Sequence, residues 1–212
     1  MKKTPVAIIA IIILSLIIAV YVYPLFPAEV ASHWNARGEV DGYMSKFWGV
    51  FLMPLISILM FGLFLFLPRL DPLKKNVAKF RGFYNEFILF MIIFFFYIFI
   101  LTILYNLGIT FNMTYAVLPA IAILFYFIGI LLKKSKRNWF IGIKTPWTLS
   151  SDRVWDKTHK LGSILFRVIA VLVLIGLFFP TQGMLLFLIP LIAAVLWLYI
   201  YSYIEYKKEK RK

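Results

Sequence analysis

Three side chains near residue 155 are spaced for metal binding. Asp152, Asp156 and His159 stand at positions i, i+4 and i+7, so a helix would place them on one face. Two carboxylates and an imidazole on one face can supply three ligands to a divalent cation. The alternative is a solvated helix face whose acids pair with Lys157 and Lys160. We expect the solvated face, and therefore no metal.

The other histidine offers a weaker candidate of the same kind. His33 has Glu29, Glu39 and Asp41 nearby, but their spacing matches no established ligand pattern. The chain has no cysteine, which excludes disulfides, thiolate nucleophiles and cysteine-ligated metals. It also has no HExxH, P-loop or GxSxG pattern. The sequence predicts that the protein is not an enzyme and uses no cofactor.

The composition is that of a membrane protein. Of the 212 residues, 63% are hydrophobic and only 15% are charged, which is outside the range of ordinary soluble domains. The net charge of +14 would suggest nucleic acid in a soluble protein. Here the basic residues stand between long apolar runs, so membrane topology explains them better. We expect no direct contact with nucleic acid.

Six apolar runs are long enough to cross a bilayer of about 30 Å hydrocarbon thickness. The links between runs three and four and between runs five and six are short, at 106–113 and 180–183, and predict antiparallel helix pairs. The sequence therefore predicts an all-α integral membrane protein with six transmembrane helices. The predicted spans are 6–23, 47–67, 87–107, 114–132, 164–179 and 184–203.

The distribution of positive charge predicts the orientation of these spans. All but two of the 23 Lys and Arg residues fall on one side of the predicted topology, and the two exceptions are Arg37 and Lys46. The positive-inside rule places both termini in the cytoplasm and the loop 24–46 outside. The polar interval 133–162 is then cytoplasmic. We expect a multi-pass protein of the cell membrane whose partners include membrane lipids.

The interval 133–162 contains signals for a helix before span five. Ser150 or Ser151 can cap its N-terminus, and Asp152 suits the positive end of the helix dipole. An apolar face follows, flanked by basic residues. This pattern predicts an amphipathic helix that lies at the membrane interface. Its apolar face contains Val154, Trp155, Thr158 and Leu161.

The loop 24–46 has turn signals at Arg37-Gly38 and Asp41-Gly42. We expect a folded loop of short extended pieces. Its Trp34 has two interpretations, burial against the span ends or contact with a ligand. The loop carries a small negative net charge, which favours a cationic or neutral external partner.

One charged pair is predicted to join two spans. Glu86 enters span three, and Arg167 lies about one turn inside span five. We expect an ion pair between them. Asp152, Asp156 and lipid phosphate are the competing partners of Arg167.

Two motifs resemble a known family. The run RNWFIGIKTPWTLSSDRVW, residues 137–155, is similar to the hallmark of the SdpI family of bacterial membrane proteins, named for immunity to a secreted toxic peptide. HWNARGEVDGYMSK, residues 33–46, resembles the small membrane domain that usually precedes it. Lys144 departs from the family pattern, which more often has Arg, and Lys offers a point charge in place of a planar fork.

The resemblance divides the chain into two regions. Residues 1–85 would form a two-span hairpin around the extracellular loop 24–46, and residues 86–212 a four-span SdpI-like region with the cytoplasmic loop 133–162. It implies a membrane immunity protein that protects the cell from an externally acting toxic peptide. It also implies a surface that docks a cytoplasmic helix-turn-helix repressor. A small transporter or channel without an intramembrane ionisable coupling site remains the alternative.

Site residues follow from the resemblance. For the extracellular peptide they are His33, Trp34, Asn35, Gly38, Asp41, Gly42 and Lys46. For the cytoplasmic partner they are Asn138, Trp139, Gly142, Lys144, Thr145, Pro146, Trp147, Thr148 and Trp155.

Overall fold

Long apolar runs become long helices, because a backbone in hydrocarbon must satisfy its N–H and C=O groups internally. A computed structural model describes residues 3–179 and 183–211. Six described helices are long and apolar enough to cross a membrane. They are α1 (Lys3–Val22), α2 (Lys46–Leu70), α4 (Arg81–Asn106), α5 (Met113–Lys134), α7 (Asp152–Gly176) and α8 (Gly183–Lys210).

The all-α multi-pass membrane fold is therefore confirmed. Several helices run beyond the predicted spans, since a helix need not end where the hydrocarbon ends. The cytoplasmic placement of both termini stays a prediction. The link predicted at 180–183 includes residues 180–182, which lie outside the described residues. Beside it, Gly176 and Gly183 approach so closely that a Cβ on Gly183 would stand 2.5 Å from the Gly176 oxygen.

The loop 24–46 folds as expected into extended pieces. A 3-10 turn at Tyr23–Leu25 follows α1, and two antiparallel strands come next, β1 (Glu29–Trp34) and β2 (Val40–Ser45). The register is irregular around His33, which pairs with Gly42. We call residues 29–45 the β-hairpin.

Two short helices lie outside the spans, α3 (Lys74–Lys79) and α6 (Pro146–Ser150). The structure corrects the separate interfacial helix predicted before span five. Ser151 caps α7 as predicted, but α7 then runs from Asp152 to Gly176 without a break. Val154, Trp155 and Thr158 are buried within the protein. The apolar face of the first turns of α7 is therefore covered by protein and not by the membrane interface.

The chain forms two compact units. The first comprises Met1–Leu63 and Ile88–Ile121. Its core joins α1, the β-hairpin, α2 and α4, with Val30 and Val50 fully enclosed. Gly49 permits this packing, because a Cβ there would stand 1.9 Å from the Val30 Cγ2 atom.

The second unit comprises Phe64–Phe87 and Ala122–Lys212. It contains α3, α6, α7 and α8, and α7 packs along α8. Glycines permit close packing here too. A Cβ on Gly129 would stand 2.9 Å from the Ser163 oxygen, and one on Gly162 would stand 2.5 Å from the Ile143 Cδ1 atom. The division at residues 85 and 86 drawn from the resemblance stays a prediction.

Candidate functional site

The turn of the β-hairpin is built around one asparagine. The Asn35 Oδ1 atom accepts hydrogen bonds from the N–H groups of Arg37 (2.8 Å) and Glu39 (3.2 Å). Its Nδ2 atom donates to the Glu39 carboxylate at 2.9 Å, and the Arg37 Nε atom donates to the same oxygen at 2.9 Å. Gly38 supplies the left-handed backbone that the turn needs, with φ of 80°. These contacts give the predicted loop a defined shape.

The same contacts set the charge state of the turn. The hydrogen bond from Asn35 and then the one from Arg37 hold the pKa of the Glu39 carboxyl below its usual value of 4.5. The Glu39 side chain is 60% exposed, so the effect belongs to a surface group. The Glu39 carboxylate therefore stays ionised at neutral pH, paired with Arg37.

Two asparagines fasten the β-hairpin to neighbouring helix ends. Asn106, the last residue of α4, accepts from the Ala31 N–H at 2.8 Å and donates to the Ala31 oxygen at 2.9 Å. Asn112, just before α5, donates to the Arg37 oxygen at 2.7 Å. The β-hairpin and the 107–112 link therefore lie at the same end of the first unit.

The predicted ligand residues of the β-hairpin divide into exposed and structural groups. His33 and Asp41 are exposed and joined by a 2.5 Å contact between Nδ1 and Oδ1. Trp34 is partly buried edge-on against the Tyr105 ring, with centroids 5.2 Å apart, so both interpretations of Trp34 retain support. Asn35, Gly38 and Gly42 shape the backbone, and Lys46 places its Nζ atom 4.8 Å from the Tyr23 ring centroid.

In the second unit, residues 135–151 form what we call the polar loop. Its first turn is organised by Asn138, which is fully buried. The Asn138 Oδ1 atom accepts from the N–H groups of Phe140 and Ile141, and its Nδ2 atom donates to the oxygens of Lys136 and Ile141. Every hydrogen-bonding position of this amide is used within the loop, so Asn138 determines the loop's shape.

A buried histidine joins the polar loop to α7. The His159 Nε2 atom accepts from the Ile143 N–H at 2.9 Å, so Nδ1 carries the proton that it donates to the Trp155 oxygen, also at 2.9 Å. The imidazole stacks on the Trp155 ring with centroids 3.9 Å apart. Gly142, with φ of 123°, leaves room for the ring. His159 therefore has neither nitrogen free for a metal.

The end of the polar loop is a capped turn attached to α8. Thr145 and Thr148 form a reciprocal capping box at the start of α6, with Pro146 in its first turn. The Thr145 hydroxyl also contacts the Ser202 hydroxyl of α8 at 3.0 Å. Trp147 packs between two rings of α8, those of Tyr199 and Tyr203. These contacts join the polar loop to α8.

The acids of α7 pair with the polar loop and not along their own helix. Arg137 Nε contacts Asp152 Oδ1 at 2.7 Å, and Lys136 Nζ contacts Asp156 Oδ1 at 3.2 Å. The prediction that Asp156 pairs with Lys157 or Lys160 is therefore wrong. Residues 3–179 and 183–211 contain no group of three His, Cys, Asp or Glu side chains that could hold a metal.

Lys157 instead reaches a buried carboxylate of α8. Lys157 and Lys208 both contact Glu205, the latter at 3.1 Å, and the Glu205 side chain is only 6% exposed. Nearby, the Ser151 hydroxyl donates to Glu209 at 2.6 Å. The start of α7 and the end of α8 are therefore joined by ionic contacts.

The prediction of an ion pair between Glu86 and Arg167 is wrong. Among the described residues no ion pair joins them. The Arg167 Nε atom donates to the Ser163 oxygen one turn earlier, at 2.9 Å. Arg167 packs against Gly129 instead, which directs it along its own helix.

The sequence analysis predicts no role for Asp71, although its carboxylate is buried and hydrogen-bonded. Asp71 is 2% exposed and accepts from the Leu73 N–H at 2.7 Å and the Trp139 N–H at 2.9 Å. It thereby ties the link after α2 to the polar loop. One feature of the sequence could have identified Asp71: it is the only acidic residue in residues 47–85, and Pro72 follows it directly.

Burial separates the residues predicted to bind a cytoplasmic partner. Asn138, Thr145, Thr148 and Trp155 are buried, Gly142 and Trp147 are partly covered, and Trp139, Lys144 and Pro146 are exposed. The buried members shape the polar loop and the exposed members form its surface. Lys144 holds a long contact of 3.3 Å to the Phe140 oxygen.

Comparison with known proteins agrees with both sequence motifs. Residues 10–58 match the family described as a domain of unknown function, DUF1648, and residues 134–202 match the SdpI/YfhL protein family. The chain is 25% identical over 209 residues to a protein named Immunity protein SdpI from Bacillus subtilis (strain 168), with 98% of each chain covered. No solved structure matches the chain.

The SdpI match covers the polar loop, α7 and most of α8, the elements that the His159 and Glu205 contacts hold together. The DUF1648 match covers most of α1, the β-hairpin and the first half of α2. The alignment with the Bacillus subtilis relative, which is of nearly equal length, spans both matched regions. Together these matches support the assignment of this multi-pass membrane protein to the SdpI family.

Proposed function

We propose that the protein is a membrane immunity protein that protects its cell from an externally acting toxic peptide. The relative named Immunity protein SdpI covers nearly the whole chain, which supports a shared role. The observation that carries the proposal is the β-hairpin, an ordered polar element between two membrane spans. In the predicted orientation it faces the outside of the cell, where such a peptide arrives.

The fastening of the β-hairpin suits recognition. Asn106 and Asn112 hold its two ends through the Ala31 and Arg37 backbone. A surface held in this way loses little conformational freedom on binding, which favours affinity. The β-hairpin can thus act as a preformed docking element.

The exposed side chains indicate the chemistry of the ligand. Acidic groups project at Glu39 and Asp41, and large rings are exposed at Tyr43, Phe47 and Trp48. Carboxylates attract cationic peptides, and aromatic rings at a membrane surface bind apolar side chains and stack with cations. The surface fits an amphipathic, positively charged peptide at the membrane interface.

The test is complementation. A Bacillus subtilis strain lacking its Immunity protein SdpI would express this chain and meet the agent to which that protein confers immunity. We expect survival with the natural chain. We expect reduced survival with Asp41→Lys combined with Glu39→Lys, while Glu209→Gln leaves protection unchanged. Sensitivity of cells that carry correctly inserted natural chain would contradict the proposal.

A second candidate is docking of a cytoplasmic helix-turn-helix repressor on the polar loop. The favouring observation is that Trp139 is 51% exposed although its backbone is held by Asp71. Lys144 and Pro146 are exposed on the same loop. A fixed, exposed tryptophan beside a cation is the type of anchor that dominates protein interfaces.

This candidate has its own test. A fluorescently tagged helix-turn-helix repressor from the same genome would be imaged in cells with and without the protein. We expect recruitment to the membrane, and loss of recruitment in Trp139→Ala with protection retained. A repressor that stays in the cytosol in the presence of the natural chain would contradict docking.

A further inference from the structure

A cavity of about 290 Å³ lies within the second unit. Its walls come from the end of α2, the start of α4, the end of α5, the polar loop and α7. They include Phe64, Tyr84, Ile128, Leu132, Phe140 and Phe166. The lining is mostly apolar, and the volume is at the lower end of small-molecule pockets, which run from roughly 300 to 1,000 Å³. It can hold part of a hydrocarbon chain.

Two cations stand beside this cavity. The guanidinium of Arg81 lies 5.6 Å from the ring centroid of Tyr84, a wall residue. Lys134 lies between the wall residues Leu132 and Ser135 in sequence and places its Nζ atom 5.0 Å from the Phe83 ring centroid. The aromatic contacts hold both charges near the cavity.

Neither cation has an acidic partner in the part of the chain that the structure describes. Lys136 and Arg137, which follow closely, both form ion pairs. The acid nearest to Arg81 in sequence is Glu86, which follows Tyr84 by two positions. Two residues turn about 200° around a helix, so Glu86 lies on a different face of α4 from Tyr84, the ring that Arg81 contacts. Arg81 and Lys134 are therefore positive charges available to an anion.

The helix ends give the depth of these charges. Arg81 is the first residue of α4 and Lys134 the last residue of α5. Both helices are apolar spans, so the two cations mark the level where hydrocarbon gives way to headgroups. The cavity lies beside the span residues that precede this level.

We propose that this cavity binds one acyl chain of an anionic phospholipid whose phosphate lies between Arg81 and Lys134. Apolar walls and an unpaired positive rim are complementary to the two ends of such a lipid. In the predicted orientation the lipid belongs to the cytoplasmic leaflet, whereas the proposed immunity function depends on a loop predicted to be extracellular. The site is independent of the proposed immunity function.

A second cavity supplies the control. It has a volume of about 230 Å³ and is lined by Ala122, Ile123, Tyr126, Ala170 and other apolar residues, with no charged residue in its wall. Hydrocarbon could enter it, but nothing there selects for an anionic headgroup. Ile128→Phe would therefore fill part of the first cavity, and Ile123→Phe would fill part of the second cavity with the same added side-chain volume.

The test is native mass spectrometry of the full chain, titrated with phosphatidylglycerol or phosphatidylcholine. We expect the natural chain to prefer phosphatidylglycerol. Arg81→Gln with Lys134→Gln should weaken its binding by about 25-fold, since one basic residue near an anionic lipid is worth about fivefold. Lys74→Gln with Lys75→Gln, which removes the same charge elsewhere, should change it little. Arg81→Lys with Lys134→Arg should retain the preference.

The cavity itself is tested by Ile128→Phe, which should weaken binding of both lipids, whereas Ile123→Phe should not. Phosphatidylglycerol with a photoreactive acyl chain should also crosslink the natural chain at residues 128–143, a result that does not depend on any variant. Equal affinity for the two lipids would overturn the proposal. Crosslinking elsewhere, equal effects of the Arg81/Lys134 and Lys74/Lys75 double substitutions, or displacement by inorganic phosphate would overturn it too.

Discussion

The Nε2 atom of His159 accepts a hydrogen bond from the Ile143 N–H at 2.9 Å, and this contact fixes the polar loop against α7. Without it, a backbone donor in the loop would lack a partner. The ring occupies the space beside Gly142 that a side chain would need. The histidine and the glycine therefore depend on each other.

Gly142→Ala should destabilise the protein. A Cβ at residue 142 would stand 2.4 Å from the His159 Nε2 atom, and φ of 123° disfavours any side chain. Backbone strain of this kind costs about 1–3 kcal/mol, and the displaced hydrogen bond adds to it. Thermal unfolding in detergent should show a lowered midpoint.

Gly108→Ala is the matched control for Gly142→Ala. Gly108 also has a positive φ, 91°, but a Cβ there meets no atom within 4 Å. It should show the strain alone and a smaller loss. If both variants unfold at the same temperature, His159 does not hold the loop as described.

Glu205→Gln should weaken the attachment of α8 to α7. The carboxylate is buried between Lys157 and Lys208, and Lys157 is 40% exposed, so its freed charge can reach water. A loss of about 1–3 kcal/mol follows from the broken charged hydrogen bonds. Glu209→Gln only replaces a charged acceptor for the Ser151 hydroxyl by a neutral one, so it should lose less in the same unfolding measurement. A larger loss for Glu209→Gln would contradict the role of Glu205.

Much of the fold could be predicted because the bilayer limits the choices. Runs of apolar residues longer than a span must become helices, and the turn signal at Arg37-Gly38 lies at the turn of the β-hairpin. The second predicted turn, Asp41-Gly42, is wrong, because both residues lie inside β2, where the register is irregular. Ser151 as the cap of α7 also follows from a local rule. Local rules are sufficient where the partner groups lie within a few residues.

Contacts between distant residues could not be predicted in the same way. No local pattern in the sequence marks Glu205, yet it is a buried partner of Lys157, 48 positions away. Arg167 was paired with Glu86, but packing on Gly129 directs it elsewhere. Predicted binding residues such as Asn138 and Trp155 are buried, because a motif read from sequence does not separate residues that shape a loop from those on its surface.

Asn106→Ala should loosen the β-hairpin from α4. The change removes both hydrogen bonds to the Ala31 backbone, and Asn106→Asp should remove only the donor half. Hydrogen–deuterium exchange at residues 29–34 should therefore rise most in the Ala variant and less in the Asp variant. Equal exchange in all three proteins would show that these bonds do not fasten the β-hairpin.

Lowering the pH should loosen the turn at residues 35–39. The pKa of Glu39 in the folded protein is below its usual value of 4.5, so the carboxylate stabilises the turn above that value. This contribution is lost as the pH falls through the lowered folded pKa. NMR shifts of the Arg37 and Glu39 amides should follow this titration, and Glu39→Gln should abolish it. A titration midpoint above 4.5 would contradict the hydrogen-bonding role of Asn35 and Arg37.

Tyr84→Phe should be destabilising because of a proline in another helix. Pro68 has no N–H to donate to the Phe64 oxygen one turn earlier in α2, and the Tyr84 hydroxyl donates to that oxygen at 2.9 Å. Removing the hydroxyl leaves a carbonyl without a donor, at a cost of about 1–3 kcal/mol.

Pro68→Ala tests this relationship directly, because alanine restores the helix donor to the Phe64 oxygen. In the Pro68→Ala background, Tyr84→Phe should then lose clearly less stability than in the natural chain. The four proteins form a double-mutant cycle, measured by thermal unfolding in one detergent, and the coupling reports the shared acceptor. Strictly additive losses would mean that the tyrosine hydroxyl does not replace the missing proline N–H.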